Sequence, residues 1–269
     1  MKRSTTDTAE NAGWKTKALA PYGLEITASV SAPVAQIDPS TLKEWIAQHR
    51  YILLRGFEQM STDAMTALAH TLGDTLEWEF GAINELVAKP DAKNYIYTTG
   101  AVPFHWDGAF VGKIPHYILF SCEVAPPENS GGETIFCDGA KLIAAATPEQ
   151  RALWQKTSVT YSTDRVVHYG GSFTSPMIAP HPVSGERTLR YAEPVRDLNP
   201  VKLDISSLTP EQRDALIAEM ALLLRRPAFC VAHAWRAGDV LVADNHALLH
   251  GRNAFREAGR RHIRRINIL

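Results

Sequence analysis

The chain has 269 residues, 45% of them hydrophobic and 21% charged, the balance of a globular protein with no apolar run near membrane-spanning length. A formal net charge of -1 and a pI near 6.8 give no global field to gather nucleic acid or anionic lipid, so neither is an expected partner and small molecules are. Cys122, Cys137 and Cys230 lie far apart in apolar, strand-like stretches and read as reduced core residues. Met1 to Asn11 is polar, without an apolar segment of signal-peptide length; the expectation is a cytoplasmic protein whose first dozen residues are mobile. The length suits one domain over 1–269, and homo-oligomerisation stays open.

In chain order, Asp38 offers a capping oxygen to a helix with Leu42, Trp45 and Ile46 on one face, running to about His49. Tyr51 to Leu54 is a continuous apolar run, as in a strand buried on both faces. Ser61 caps a second amphipathic helix carrying Met65, Leu68, Ala69 and Leu72, closed by Gly73. Asn94 to Thr98 and His116 to Val124 read as strands, Thr134 to Phe136 as a short strand, and Asp138 to Lys156 as helical. Residues 162–200 carry prolines and glycines with little periodicity, so a lid-like loop region with short strands is expected. Thr209-Pro210-Glu211-Gln212 opens a helix through Leu216, Met220, Leu223 and Leu224 that ends before Pro227. Phe229 to Trp235, Asp239 to Ala243 and Arg261 to Leu269 close the chain as strands. Many short strands with helices outside them fit an α+β class built on a jelly-roll, and other α+β folds as well.

Within this frame His105-Trp106-Asp107 is the central motif. Two residues of extended chain point an imidazole and a carboxylate the same way, and a second His completes a two-His, one-carboxylate face for a divalent metal. With ten His and 29 acidic residues, a chance His-x-Asp is common, so the pair gains weight only from its companions. Those are Gly131-Gly132-Glu133-Thr134, His250 and the basic strand Arg260 to Arg265. His246 is the rival second His; it would share a face with His250 on a helix, but Asp244-Asn245 favours a turn. Arg261 and Arg265, four residues apart on a strand, share one face, while Arg260 and Arg264 fall on the other as a solvated basic edge.

These motifs resemble the taurine dioxygenase (TauD/TfdA) family of iron(II)- and 2-oxoglutarate-dependent oxygenases. In that family the second His ligand is followed eleven residues later by the Arg that binds 2-oxoglutarate, which is the spacing of His250 and Arg261. The Tyr51 strand, the Arg55-Gly56-Phe57 turn and the helix ending Leu72-Gly73-Asp74 resemble the family's N-terminal part. The resemblance implies a double-stranded β-helix core and three roles: His105, Asp107 and His250 as iron ligands, Thr134 and Arg261 on 2-oxoglutarate, and Arg265 on an anionic group of the substrate. It implies O2 as the other cosubstrate, with decarboxylation of the keto acid to succinate driving removal of hydrogen from an unactivated carbon. An intact Asp107 argues against the related halogenases, where a small residue frees that position.

Phe80 to Val87, His168-Tyr169, Glu193-Pro194 and Ala243-Asp244-Asn245 through Leu249-His250-Gly251-Arg252 resemble a narrower subgroup, the oxygenases of amino-acid-derived isonitriles such as the paerucumarin-pathway enzyme. That implies a small-molecule carboxylate, tyrosine isonitrile, and desaturation, with or without loss of the carboxylate. Tyr97, Phe104, Phe110, His168 and Tyr169 are candidate aromatic liners; Glu85 and Glu193 orient substrate or form salt bridges. The alternatives are a hydroxylase of another small amino-acid-like substrate and a non-catalytic cupin-like binding protein, the latter disfavoured by five intact site residues.

Overall fold

The computed structural model describes residues 13–78, 80–164, 170–256 and 260–269. The expected mobile N-terminus, His168 and Tyr169 lie outside the described residues. In chain order, β1 (Trp14–Ala18) and β2 (Leu24–Ala28) form a hairpin, α1 (Pro39–His49) leads into β3 (Tyr51–Arg55), and α2 (Thr62–Leu72) precedes β4 (Asn84–Val87). Then come β5 (Val102–His105), β6 (Tyr117–Val124), β7 (Thr134–Asp138), α3 (Gly139–Ala145) and α4 (Pro148–Lys156). An excursion of β8 (Ser158–Thr163), β9 (Gly171–Pro176), β10 (Ile178–Pro180), β11 (Arg187–Leu189) and β12 (Lys202–Asp204) leads to α5 (Pro210–Leu223). β13 (Cys230–His233), β14 (Val240–Asp244), β15 (Leu248–Arg252) and β16 (His262–Ile268) complete the chain. No described helix is long and apolar enough to cross a membrane.

A major sheet has the order β1-β2-β3-β14-β6-β16-β4 and a minor sheet the order β13-β7-β15-β5. From β4 to β7, and again from β13 to β16, successive strands alternate between the two sheets. That alternation is the double-stranded β-helix, and with five helices packed outside it the class is α+β. Period-two patterning explains the layers. Ile52, Leu54, Leu119, Val240, Val242, Ile266 and Ile268 face outward against α1 and α2, through Leu42, Ile46, Met65 and Leu68. Their neighbours Tyr51, Leu53, Phe120, Leu241 and Ile263 face inward and meet Phe136 and Leu248 of the minor sheet. The continuous apolar run at Tyr51 to Leu54 is therefore a strand covered on both faces. Behind the minor sheet, α3, α4 and α5 pack with β8 around Trp154, Tyr161, Leu216 and Met220.

Two expectations are corrected. Asn94 to Thr98 is not a strand: Tyr95–Tyr97 is a 3-10 turn capped by the Asn94 side chain, whose oxygen accepts from Ile96 N at 3.1 Å. The carbonyls of Ile96, Thr98 and Gly100 accept from the Arg252 guanidinium at 2.7–2.9 Å, taking the place of a strand partner. The strand entering the site is β5 instead. Asp138 to Lys156 is two helices, because Thr147 and Gln150 form a capping box ahead of Pro148 and restart the helix after Ala146. His250 follows the strand expected over Asp239 to Ala243 and lies within a strand of its own, β15.

Candidate active site

The register of the minor sheet brings the two imidazoles together. β15 pairs with β5 so that His250 lies opposite His105, with ring centroids 4.3 Å apart. After β5 the chain turns at Gly108, whose φ of +99° and approach to Lys113 O, 2.2 Å from where a Cβ would sit, both require glycine. Asn245 holds this turn from the other side: its Oδ1 accepts from Asp107 N at 2.9 Å and its Nδ2 donates to Asp107 O at 3.1 Å and Pro115 O at 2.9 Å. The Asp107 carboxylate is thereby delivered to the imidazoles, Oδ1 lying 3.5 Å from His105 Nε2 and 3.7 Å from His250 Nε2. One ligand atom from each of the three residues falls within 4.8 Å of the others.

The chemistry of this set fits a divalent metal. His105 Nδ1 lies 2.9 Å from Pro103 O, which places a proton on Nδ1 and turns Nε2 toward Asp107. Both ring nitrogens of His250 are buried with no hydrogen-bond partner, an arrangement that costs about 1–3 kcal/mol unless a further group takes them up. Burial, then His105, pushes His250 down to about 3 despite Asp107, so its ring is neutral near pH 7 and its lone pair is available. Burial works to raise Asp107, but Arg265, His250 and His105 outweigh it and hold the carboxyl well below the usual carboxylate range. Neutral imidazoles and an ionised carboxylate are the forms that bind metal.

Beside this face lies a second buried chamber lined by His105, Thr134, His250, Arg252, Arg261 and Arg265. Arg261 donates through Nε to Gly132 O at 2.9 Å and reaches Thr134 Oγ1 from Nη2 at 3.4 Å; its Nη1 is buried without a partner. Burial, then the neighbouring Arg252, pushes Arg261 down to about 9. A chamber with three guanidiniums, an orphaned donor and a hydroxyl can take up an anion, and a dicarboxylate reaching from here to the metal face fits that demand.

On the other side of His105 and Asp107 is an apolar cavity lined by Trp78, Tyr95, Trp106, Phe110, Tyr161 and Val195 among others, with Arg265 on its wall. Arg265 borders both chambers. Its Nη1 donates to Asp107 Oδ1 at 3.4 Å and forms an ion pair with Oδ2 at 3.0 Å, and its Nε is buried without a partner. Of the expected liners, Phe110 faces the cavity, whereas Phe104 is fully buried in the core behind it. Tyr97 donates to Asn84 Oδ1 at 2.9 Å, and its neighbours Tyr95 and Ile96 face the cavity instead. Glu85 pairs with His262 and Arg264 on the outer face, where Arg264 also meets Glu123, so the expected solvated edge is an ion-paired one. Glu193 borders the cavity while bound to Arg225 and accepting from Phe104 N at 2.8 Å.

His246 joins a different cluster with His116, His181 and Asp244. There His181 Nδ1 accepts from Val183 N and Ser184 N, both at 3.2 Å, so its proton sits on Nε2 and is donated to Asp244 Oδ2 at 2.9 Å. That tautomer makes the cluster a structural clamp. Reading the sequence missed Trp78, Tyr95, Trp106 and Tyr161, whose cavity-facing role no local pattern marks. It also gave no role to Asn245 or Asn267, although the alternation that pairs Arg261 with Arg265 puts Asn267 on the same face.

Comparison with known proteins agrees with this geometry. Residues 15–267 match the taurine catabolism dioxygenase TauD, TfdA family. The chain is 39% identical to a 3-((Z)-2-isocyanoethenyl)-1H-indole synthase of Fischerella ambigua, over 98% of this chain and 99% of that one. It is 33% identical to a tyrosine isonitrile desaturase of Pseudomonas aeruginosa, over 87% and 82% of the two chains. The solved structure of PvcB, an Fe, alpha-ketoglutarate dependent oxygenase from an isonitrile synthetic pathway, superposes with a TM-score of 0.81 at 30% identity, covering 100% of this chain and 94% of that one. The chain therefore belongs to the TauD, TfdA family and is an iron(II)- and 2-oxoglutarate-dependent oxygenase.

Proposed function

We propose that the chain, as one catalytic domain, oxidises an isonitrile derived from an aromatic amino acid and converts its side chain to an alkene. The observation that carries this reading is the aromatic cavity of Trp78, Tyr95, Trp106, Phe110 and Tyr161, closed on one wall by Asp107 and Arg265. A flat ring fills such a cavity, and a carboxylate meets the guanidinium at its edge. His105, Asp107 and His250 hold iron(II), and three protein ligands leave three positions for 2-oxoglutarate and O2. Thr134 and Arg261 take the distal carboxylate of 2-oxoglutarate, satisfying the orphaned Nη1 of Arg261. The bound iron, keto acid and O2 supply the oxidant that removes hydrogen.

The chain's own residues then direct that oxidant. Arg265, with Nη1 committed to Asp107, offers its unpartnered Nε side to the substrate carboxylate and sets the depth at which the carbon chain passes the metal face. The cavity wall holds the aryl ring, so the carbon nearest the metal is the one beside the ring, where hydrogen loss gives a benzylic-type radical. The aromatic and aliphatic part of the lining leaves water few partners beside that carbon. Loss of a second hydrogen, or of the carboxylate as carbon dioxide, completes the alkene.

The aryl group has two readings. Tyrosine isonitrile is one; an indole is the other, favoured by 39% identity to a relative named for a vinyl isonitrile on an indole ring. The experiment is anaerobic loading with iron(II), 2-oxoglutarate and either tyrosine isonitrile or tryptophan isonitrile, exposure to O2, and mass spectrometry of the products. Loss of two hydrogens, with or without carbon dioxide, from one of them is the expected result. Both isonitriles returning unchanged while 2-oxoglutarate decays to succinate would remove the substrate assignment and leave the iron site standing. His105→Ala is expected to abolish succinate formation in a folded protein; undiminished turnover would end the ligand assignment.

A further inference from the structure

The two oxygens of Asp107 are treated differently. Oδ1 faces both imidazoles and accepts from Arg265 Nη1 at 3.4 Å, while Oδ2 accepts from Asn267 Nδ2 at 3.1 Å and lies 3.0 Å from the same Arg265 Nη1 in an ion pair. Asn267 lies on β16, two residues beyond Arg265, and is 2% exposed. From this geometry we infer that Asn267 is a positioning residue that confines Asp107 to a single metal-facing oxygen.

The inference rests on the reading of His105, Asp107 and His250 as iron ligands, and its physical basis is simple. The terminal torsion of an Asp side chain is soft and two-fold, so an unrestrained carboxylate beside a divalent ion can swing until both oxygens bind. In a six-coordinate centre a second Asp oxygen would occupy one of the three positions that the keto acid and O2 require. A donor fixed on Oδ2 opposes that swing. Arg265 and Asn267 both border the substrate cavity, but Arg265 Nη1 spans the two carboxylate oxygens, whereas the Asn267 amide is neutral, buried and aimed at Oδ2. Asn245, clamping the backbone of the same residue, fixes where the carboxylate starts; Asn267 fixes how it is turned.

The test uses cobalt(II) as the probe, since its visible bands respond to coordination number. Asn267→Leu keeps similar volume without a donor, and Asn267→Ser leaves a hydroxyl too short to reach Oδ2 without adding apolar bulk. Whichever of them folds, by circular dichroism, is expected to bind cobalt(II) and to show bands shifted toward those of a higher coordination number than the wild type. Unshifted bands in either folded variant overturn the inference. His105→Ala run alongside separates the two levels. If it still binds cobalt(II) like the wild type, the ligand reading itself fails; if it loses binding while the Asn267 variants keep unshifted bands, only the role of Asn267 falls.

Discussion

Arg261 shows how a single side chain reports what the site is built to receive. A guanidinium is normally kept in water or paired, yet here it is 2% exposed, beside Arg252, with Nη1 unpartnered. Thr134 Oγ1 is itself held by Trp235 Nε1 at 2.9 Å, so the hydroxyl is oriented before any ligand arrives. A bidentate carboxylate satisfies Arg261 in a way an ammonium does not. Arg261→Lys is expected to raise the KM for 2-oxoglutarate roughly 10- to 100-fold, the equivalent of one charge-assisted hydrogen bond, with little change in kcat. Succinate formation against 2-oxoglutarate concentration measures it, and an unchanged KM would refute the role. His246 makes a second case. Burial, then the Arg190 it contacts, pushes its pKa down to about 3, whereas an unfolded imidazole titrates near ~6.5. Between those values the unfolded chain binds the extra proton, so stability is lost as pH falls from about 6.5 toward 3. The urea midpoint should drop between pH 7 and pH 5, and drop less in His246→Gln; equal drops would mean that His246 carries no such linkage.

At the scale of elements, the helix starts obey local chemistry that can be tested singly. Thr147-Pro148-Glu149-Gln150 repeats the pattern of Thr209-Pro210-Glu211-Gln212, and both form capping boxes. Thr147→Ala removes the oxygen that Gln150 N uses, at a cost of about 1 kcal/mol, or roughly 2–4 °C in Tm for a domain of this size. No shift in a thermal melt would show that Pro148 alone restarts the helix. This pair also marks how far the sequence could be read. The Thr209 signal stood before a long apolar-striped helix and was legible; the same signal at Thr147 was hidden inside a run with helical character on both sides. Strands covered on both faces, such as β3, announce themselves by continuous apolar composition. β4 and β15 do not, because Asn84, Glu85, His250 and Arg252 interrupt their pattern. Those interruptions are where function and inter-strand polar contacts replace packing, so propensity fails nearest the site. His105, Asp107, His250 and Arg261 were legible as a group, and come together in space, because their spacing follows connectivity rather than composition.

Across the whole molecule the site is a seam between two sheets. His105, His250 and Thr134 come from the minor sheet, and Asp107 from the turn leaving it; Arg261, Arg265 and Asn267 belong to the C-terminal strand region of the major sheet. On the proposed ligand set, a metal alone would draw its protein ligands from one side of the seam, whereas a dicarboxylate reaching from the metal to Arg261 would tie the two sides together. Ligands that bind only the folded state raise stability by RT ln(1 + [L]/Kd), about 2.7 kcal/mol at a hundredfold excess over Kd. Manganese(II) or cobalt(II) is therefore expected to raise Tm modestly, and the same metal with 2-oxoglutarate to raise it further. 2-Oxoglutarate without metal should do little, because its second carboxylate would face the neutral His250 imidazole and the ionised Asp107. His105→Ala should lose the metal-dependent shift, and Arg261→Lys should keep the metal shift while losing most of the 2-oxoglutarate increment. Scanning calorimetry of these combinations decides it: an increment from 2-oxoglutarate that is equal with and without metal would mean that the keto acid does not bridge Arg261 and the His105, Asp107 and His250 face.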